Sequence, residues 1–182
     1  MTRIDVGSVL RHSANLPFSD LVTRPTGAAV RRCIQTELAA LSEGDVALLD
    51  FSHIGMMDYS CADEVVAKLL IALAGQDAHA GYIVFHGITD AHLEAIEVVL
   101  DHHGLALVVQ FADGGARLVG SVSDEERAIW EMVYARGSAV ADDVADVAGR
   151  EPAEMARILE SLLRRRLLRH DGVTYAPLGP VQ

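Results

Sequence analysis

Residues 47–64, Ala47-Leu-Leu-Asp-Phe-Ser-His-Ile-Gly-Met-Met-Asp-Tyr-Ser-Cys-Ala-Asp-Glu64, decide how the first two thirds of the chain read. The stretch continues an apolar run, Asp45–Phe51 (DVALLDF), crosses a short loop, and opens at Ser60 into a segment apolar on most sides up to Ala74. Strand, loop and sheet-packed helix is the economical reading. Two further runs, Tyr82–Phe85 (YIVF) and Leu105–Phe111 (LALVVQF), are equally short, rich in β-branched or aromatic residues, and bounded by Gly, Asp or His. Such runs read as buried strands of a mixed or parallel sheet. Helical segments lie between them. Thr26–Leu41 turns Ala29, Val30, Cys33, Ile34 and Leu38 inward, with Arg31, Arg32 and Gln35 opposite. Thr89–His102 has Leu93, Ile96, Val99 and Leu100 as its stripe and Gly104 as its C-cap. The alternation predicts an α/β fold, a small sheet with helices.

Near residue 120 the pattern changes to helix, helix, helix, hairpin. Ser123-Asp-Glu-Glu126 is a capping box opening a helix to about Ala135. Gly137-Ser138 breaks it, Val140–Val147 makes a short second helix, and Pro152 starts a third that runs to Leu167. His170-Asp171-Gly172-Val173 signals a hairpin. The expected organisation is an α/β domain over 1–119, a mainly α domain over 120–177, and a loose tail over 178–182.

Composition narrows the class. At 51% hydrophobic residues the chain of 182 can bury a core, which excludes a disordered or fibrous protein. Fifteen basic against 26 acidic residues give a net charge of −11, which argues against coating nucleic acid or an anionic membrane by bulk charge. Residues 1–119 carry 7 basic and 15 acidic side chains, residues 120–182 carry 8 and 11. The acidity therefore sits mostly in the first part, and a small arginine-edged contact in the second stays open. Two cysteines cannot build a disulfide framework or a four-cysteine zinc site. The start, MTRIDVGSVLRHS, lacks the apolar core of a secretory signal, and no apolar run approaches the roughly 20 residues of a membrane span. A cytoplasmic protein without a cofactor is expected.

Two resemblances bear on function. The C-terminal part resembles a winged helix-turn-helix, on Trp130 and Val133 of the first helix, Val144–Val147 of the second, and Ile158, Leu159, Leu162 and Leu163 of the third. Arg166–Tyr175 would form the exit strand and wing. The N-terminal part, over 1–119, resembles a STAS domain, the fold of anti-sigma-factor antagonists. Asp50-Phe51-Ser52 matches the aspartate-containing end of a strand that the antagonists carry, and Asp58-Tyr59-Ser60-Cys61 stands where they have Asp-Ser-Ser-Gly. Tyr59 replaces a small residue and Cys61 a glycine, and Thr23-Arg24-Pro25-Thr26-Gly27 ahead of a helix looks like a divergent branch.

In antagonists the second serine of that motif is phosphorylated by a kinase that is also the anti-sigma factor, which here implies Ser60. A phosphate at a helix N-terminus is favoured by the dipole, and its added charge disrupts an apolar partner surface. Ser60 with Asp63 is also an ordinary capping box, and Asp58 a second cap. The expected partner surface is His53, Met56, Met57, Asp58, Tyr59 and Ser60, with the two methionines read equally well as core plugs. Arg24, just ahead of a helix, is a candidate anion-binding residue or part of a simple turn. No catalytic constellation or metal spacing stands out; Cys61 with His53 lacks an orienting third group. For the third helix, Arg157, Arg164, Arg165 and Arg169 are the nucleic-acid candidates, opposed by Glu151 and Glu154. The function expected is non-enzymatic, signal-dependent protein–protein interaction in transcriptional control. The alternative is direct DNA binding, with the STAS-like part sensing a signal or dimerising the chain.

Overall fold

Each of the three apolar runs becomes a strand of one sheet: β2 (Val46–Asp50), β3 (Tyr82–His86) and β4 (Ala106–Gln110). The computed structural model describes residues 1–14, 19–75 and 81–179. Two edge strands complete the sheet, β1 (Thr2–Asp5) and β5 (Ala116–Gly120). The strands lie in chain order, β1 to β4 parallel and β5 antiparallel to β4. Helices α1 (Val6–Ala14) and α2 (Arg24–Leu38) connect β1 to β2. The β2–β3 connection holds α3 (Tyr59–Ala62), a π-helical turn (Asp63–Ala67) and α4 (Lys68–Ala74). Helix α5 (Asp90–His103) joins β3 to β4, capped by Thr89 at its start and by left-handed Gly104 at its end.

Parallel strands laid down in sequence, joined by crossovers of one hand, place all their helices on one face. That face is filled here by Val9, Val30, Ile34, Val65, Leu69, Leu93 and Ile96 against Ala47, Leu49, Ile83, Phe85 and Leu107. The alternate strand residues Val46, Leu48, Val84, Ala106, Val108 and Leu118 point the other way and are also buried. Strands buried on both faces explain why the sequence reads as unbroken apolar runs.

The second cover is the chain's own C-terminal part: α6 (Asp124–Arg136), α7 (Ala141–Ala148), α8 (Pro152–Arg164) and the hairpin β6 (Arg169–His170) and β7 (Tyr175–Ala176). Helix α6 carries Ile129, Trp130 and Val133 into one core with the sheet. Polar contacts fasten the layer: Arg127 Nη1 donates to Leu118 O at 2.6 Å, Tyr134 Oη to Gly114 O at 2.9 Å, Arg165 Nη2 to Ser121 O, and Arg166 Nη1 to Gly81 O at 3.4 Å. Within the layer, Trp130 Nε1 donates to Leu167 O at 3.0 Å and the indole stacks on Tyr134. Ala139 and Tyr175 exchange backbone hydrogen bonds, so the α6–α7 connection pairs with the hairpin as a third short strand.

Four expectations change. Cys33 is exposed, because the inward stripe of α2 is the narrower Gly27, Val30 and Ile34. Helix α8 stops at Arg164, where Arg166 turns to φ 55. The expected tail is packed at its start, with Leu178 only 3% exposed against Trp130 and Val84; residues 180–182 lie outside the described residues. Met57 is buried at 5% exposure, so it belongs to the core and not to the expected partner surface. Among the described residues no helix is long and apolar enough to cross a membrane.

Candidate functional site: the loop between β2 and α3

The loop after β2 is fixed at nearly every residue. Asp50, itself buried and paired with Arg3, accepts from Ser52 N at 2.9 Å, and Phe51 N donates to His86 O. Ser52 presses on Gly87, whose φ of +67 and lack of a Cβ permit the approach. His53 Nδ1 lies 3.0 Å from Asp5 Oδ2. Gly55 is held from both ends: its N–H donates to Ser19 O, and its carbonyl accepts from His92 Nε2 at 3.0 Å. His92 is fully buried and its Nδ1 accepts from Thr89 N, so the two bonds fix one neutral tautomer.

A strand-like segment then runs beside the loop. Leu21 N donates to Met56 O at 2.7 Å, Asp58 N donates to Leu21 O at 3.0 Å, and Met56 N donates to Asp20 Oδ1 at 3.0 Å. Asp58 ends the loop by capping two elements at once: Oδ1 takes Cys61 N at 2.7 Å and Oδ2 takes Thr23 N at 2.9 Å. Burial opposes its charge, but these backbone donors outweigh it and lower its pKa. Thr23 sits at φ 73, a strained value for a β-branched residue, and Asp58 is one of the groups that hold it there.

This frame turns Met56 and Tyr59 outward, 62% and 58% exposed, with His53 beside them in sequence and also exposed. Ser60 is half-buried in the first turn of α3, and Asp58, not Ser60, is the cap. The first-turn N–H groups that a phosphate would use are therefore committed to the Asp58 carboxylate. A phosphoryl group on Ser60 would meet like charge there and loosen the turn.

Arg24 does not line an anion site. Its guanidinium binds Asp63 Oδ2 at 2.6 Å and Glu64 Oε1 at 3.0 Å. Glu64 also meets Arg31 and Lys68, and Asp63 meets His103 Nε2 at 2.9 Å. Burial works against the Asp63 charge, yet Arg24, His103 and Lys68 hold its pKa down at about 2. The cluster ties α2, the π-turn and α5 together, and its three cations more than balance its two carboxylates. Cys61 is also settled: burial, then the Asp58 charge, push its thiol up to about 12, and Sγ donates to Thr23 O at 3.0 Å. A protonated, buried thiol is a donor and not a nucleophile.

The arginine candidates separate. Arg165 is engaged with Glu126 and with Ser121 O, which removes it from a nucleic-acid surface. Arg157 and Arg164 lie on the exposed side of α8 with Glu160, and Arg169 is exposed on the hairpin. Sequence reasoning missed the segment Ser19–Thr23 and His92, which build the loop's frame. Asp20-Leu21-Val22-Thr23 carries no periodicity, and a histidine on an apolar helix face reads as filler.

Comparison with protein-family models, with characterised proteins and with solved structures returns no match.

Proposed function

We propose that the chain is a non-enzymatic regulatory protein that docks a protein partner through the loop His53–Ser60, in the manner the STAS resemblance implies. The carrying observation is the display of two large apolar side chains, Met56 and Tyr59, on a loop whose backbone is bound on both sides. A loop whose backbone is already fixed loses little backbone entropy on docking, and Met and Tyr suit interface cores. The buried Asp50 at the strand end and the Asp58 cap before Ser60 support the antagonist-like reading of Asp50-Phe51-Ser52 and Asp58-Tyr59-Ser60. The partner is then an anti-sigma factor or a kinase-like regulator in transcriptional control, and phosphorylation of Ser60 would release it.

The test compares immobilised wild type, Ser60→Ala, Ser60→Asp and the Met56→Asp/Tyr59→Asp pair, all checked for folding by circular dichroism, against source lysate. A partner kept by the first two and lost by the last two is the expected result. One and the same partner set on all four discards the reading.

A second reading has its own observation. The order α6, α7, α8, hairpin, with Ala139 bridged to Tyr175, supports a winged helix, and its α8 leaves Arg157 and Arg164 exposed. DNA binding through that face predicts retention of duplex DNA on filters at low salt, lost in Arg157→Glu/Arg169→Glu. No retention at any salt removes it.

A further inference from the structure

Strands β3 and β4 pair only at their C-terminal ends, Phe85 opposite Val109 and His86 opposite Gln110. Ahead of those pairs, Tyr82–Val84 and Ala106–Val108 have no register partners across the gap. Tyr82 N–H donates to Asp45 O on the β2 side, and Leu105 O accepts from Ser121 on the β5 side. Backbone groups alternate sides along a strand, so those of Ile83 and Ala106 face the gap.

A cavity of about 160 Å³ opens there. Ile83 and Leu107 line it from the strands, Leu70 and Leu73 from α4, Arg164 from the end of α8 and Leu167 from the turn after it. An engineered apolar cavity of about 150 Å³ holds benzene, so this one has room for a ring or a short alkyl chain. Its walls are apolar, while its mouth is cationic. Among the described residues the exposed Arg164 side chain has no hydrogen-bond or ion-pair partner. An unpaired guanidinium beside an apolar hole is complementary to one ligand chemistry.

We propose that this cavity binds a small amphipathic carboxylate, its alkyl or aryl tail between β3 and β4 and its carboxylate on Arg164. The ligand would touch the turn that joins α8 to the hairpin, the turn in which Arg166 holds φ 55. The site therefore lies where the sheet layer and the C-terminal layer meet. It is independent of docking at Met56 and Tyr59.

The test is a ¹H–¹⁵N titration of the full chain with hexanoate, with 1-hexanol and acetate as controls. Hexanoate is expected to shift the amides of Ile83, Leu105, Leu107 and Leu167 with a Kd on the order of 1 mM. Hexanol should bind about fivefold more weakly for want of the charge-assisted contact, and acetate should not shift these amides. Ala74→Trp, at an exposed position on the rim, should block the shifts, and Arg164→Gln should bring hexanoate to the level of hexanol. Shifts that are absent, scattered over the surface, indifferent to Ala74→Trp, or as strong with hexanol overturn the proposal.

Discussion

The two cysteines invert what their spacing suggests. Cys33, on the apparent inner stripe, is exposed in a cleft with Arg3, Asp5 and His12, whereas Cys61, at the start of a helix beside an open loop, is completely buried. Native protein treated with iodoacetamide at about pH 8 should be alkylated at Cys33 and spared at Cys61, with both modified in denaturant, as mass spectrometry of the peptides would show. Modification of Cys61 in the native state would contradict its burial. The raised thiol pKa also has a sign: the native state keeps its proton longer than the unfolded chain, so this contribution to stability is complete below about 9 and lost as pH climbs toward about 12. The sequence shows a cysteine in a first helical turn, where a thiolate is favoured. It does not show Asp58 and a roof of packed helices, which reverse the preference.

Among the elements, the contact of α2 with the α3–π–α4 helix is close and open to test. A Cβ added at Gly27 would lie 3.0 Å from Glu64 Cβ and 3.1 Å from Cys61 Cα. Gly27→Val should therefore cost about 1–3 kcal/mol by overpacking, read as a lower urea midpoint at unchanged slope. The same pair of elements carries the ion cluster. Asp63 falls from an ordinary 3.8 to about 2 in the folded protein, so it contributes about 2 kcal/mol that is present above about pH 4 and lost as pH falls through about 2. Urea midpoints measured from pH 6 down to pH 2 should fall, and Arg24→Gln should flatten that fall. An unchanged profile in Arg24→Gln would show that the cluster does not hold the carboxylate down. Element by element, legibility followed burial. Strands β2, β3 and β4 announce themselves because both their faces are apolar. Strands β1 (TRID) and β5 (ARLVG) escape notice, since an edge strand is short and partly polar by necessity. The Ser123–Glu126 capping box and the glycine stops at Gly104 and Gly137 were readable because their chemistry is local, whereas the expected Ser60–Asp63 box gives way to the Asp58 cap and the Thr89–His92 box, with a histidine in the acidic place, went unread. The π-turn has no such signature in Asp-Glu-Val-Val-Ala; it coincides with Glu64 reaching Arg24, Arg31 and Lys68 across elements.

For the whole molecule, the sheet is the middle of three layers, and the second half of the chain is its outer cover. The sequence suggested a boundary at residue 119 and the change of pattern is real, since β5 ends at Gly120. What periodicity could not show is that Trp130, Ile129 and Leu178 close on Val46, Leu48, Val84 and Val108. A fragment ending at residue 119 would leave that apolar face open to water. It should bind a hydrophobic dye and aggregate, while the whole chain should unfold in one transition followed equally by tryptophan fluorescence and circular dichroism. A soluble, dye-silent fragment, or two separated transitions, would mean that the layers are held by little more than their tether.

The order of the strands along the chain has a temporal side. During synthesis β1 to β5 and all the helices of the inner face emerge before α6, so the sheet is complete on one side while the other is bare. At ribosomal speeds of about 5–20 residues per second, the remaining stretch to Leu178 takes roughly 3–12 s. For that interval the nascent chain presents Val46, Leu48, Val84, Ala106 and Val108 to whatever apolar surface is nearby, another nascent copy included. Codon usage after residue 120 and access to a chaperone at the tunnel exit therefore bear on the yield of this protein.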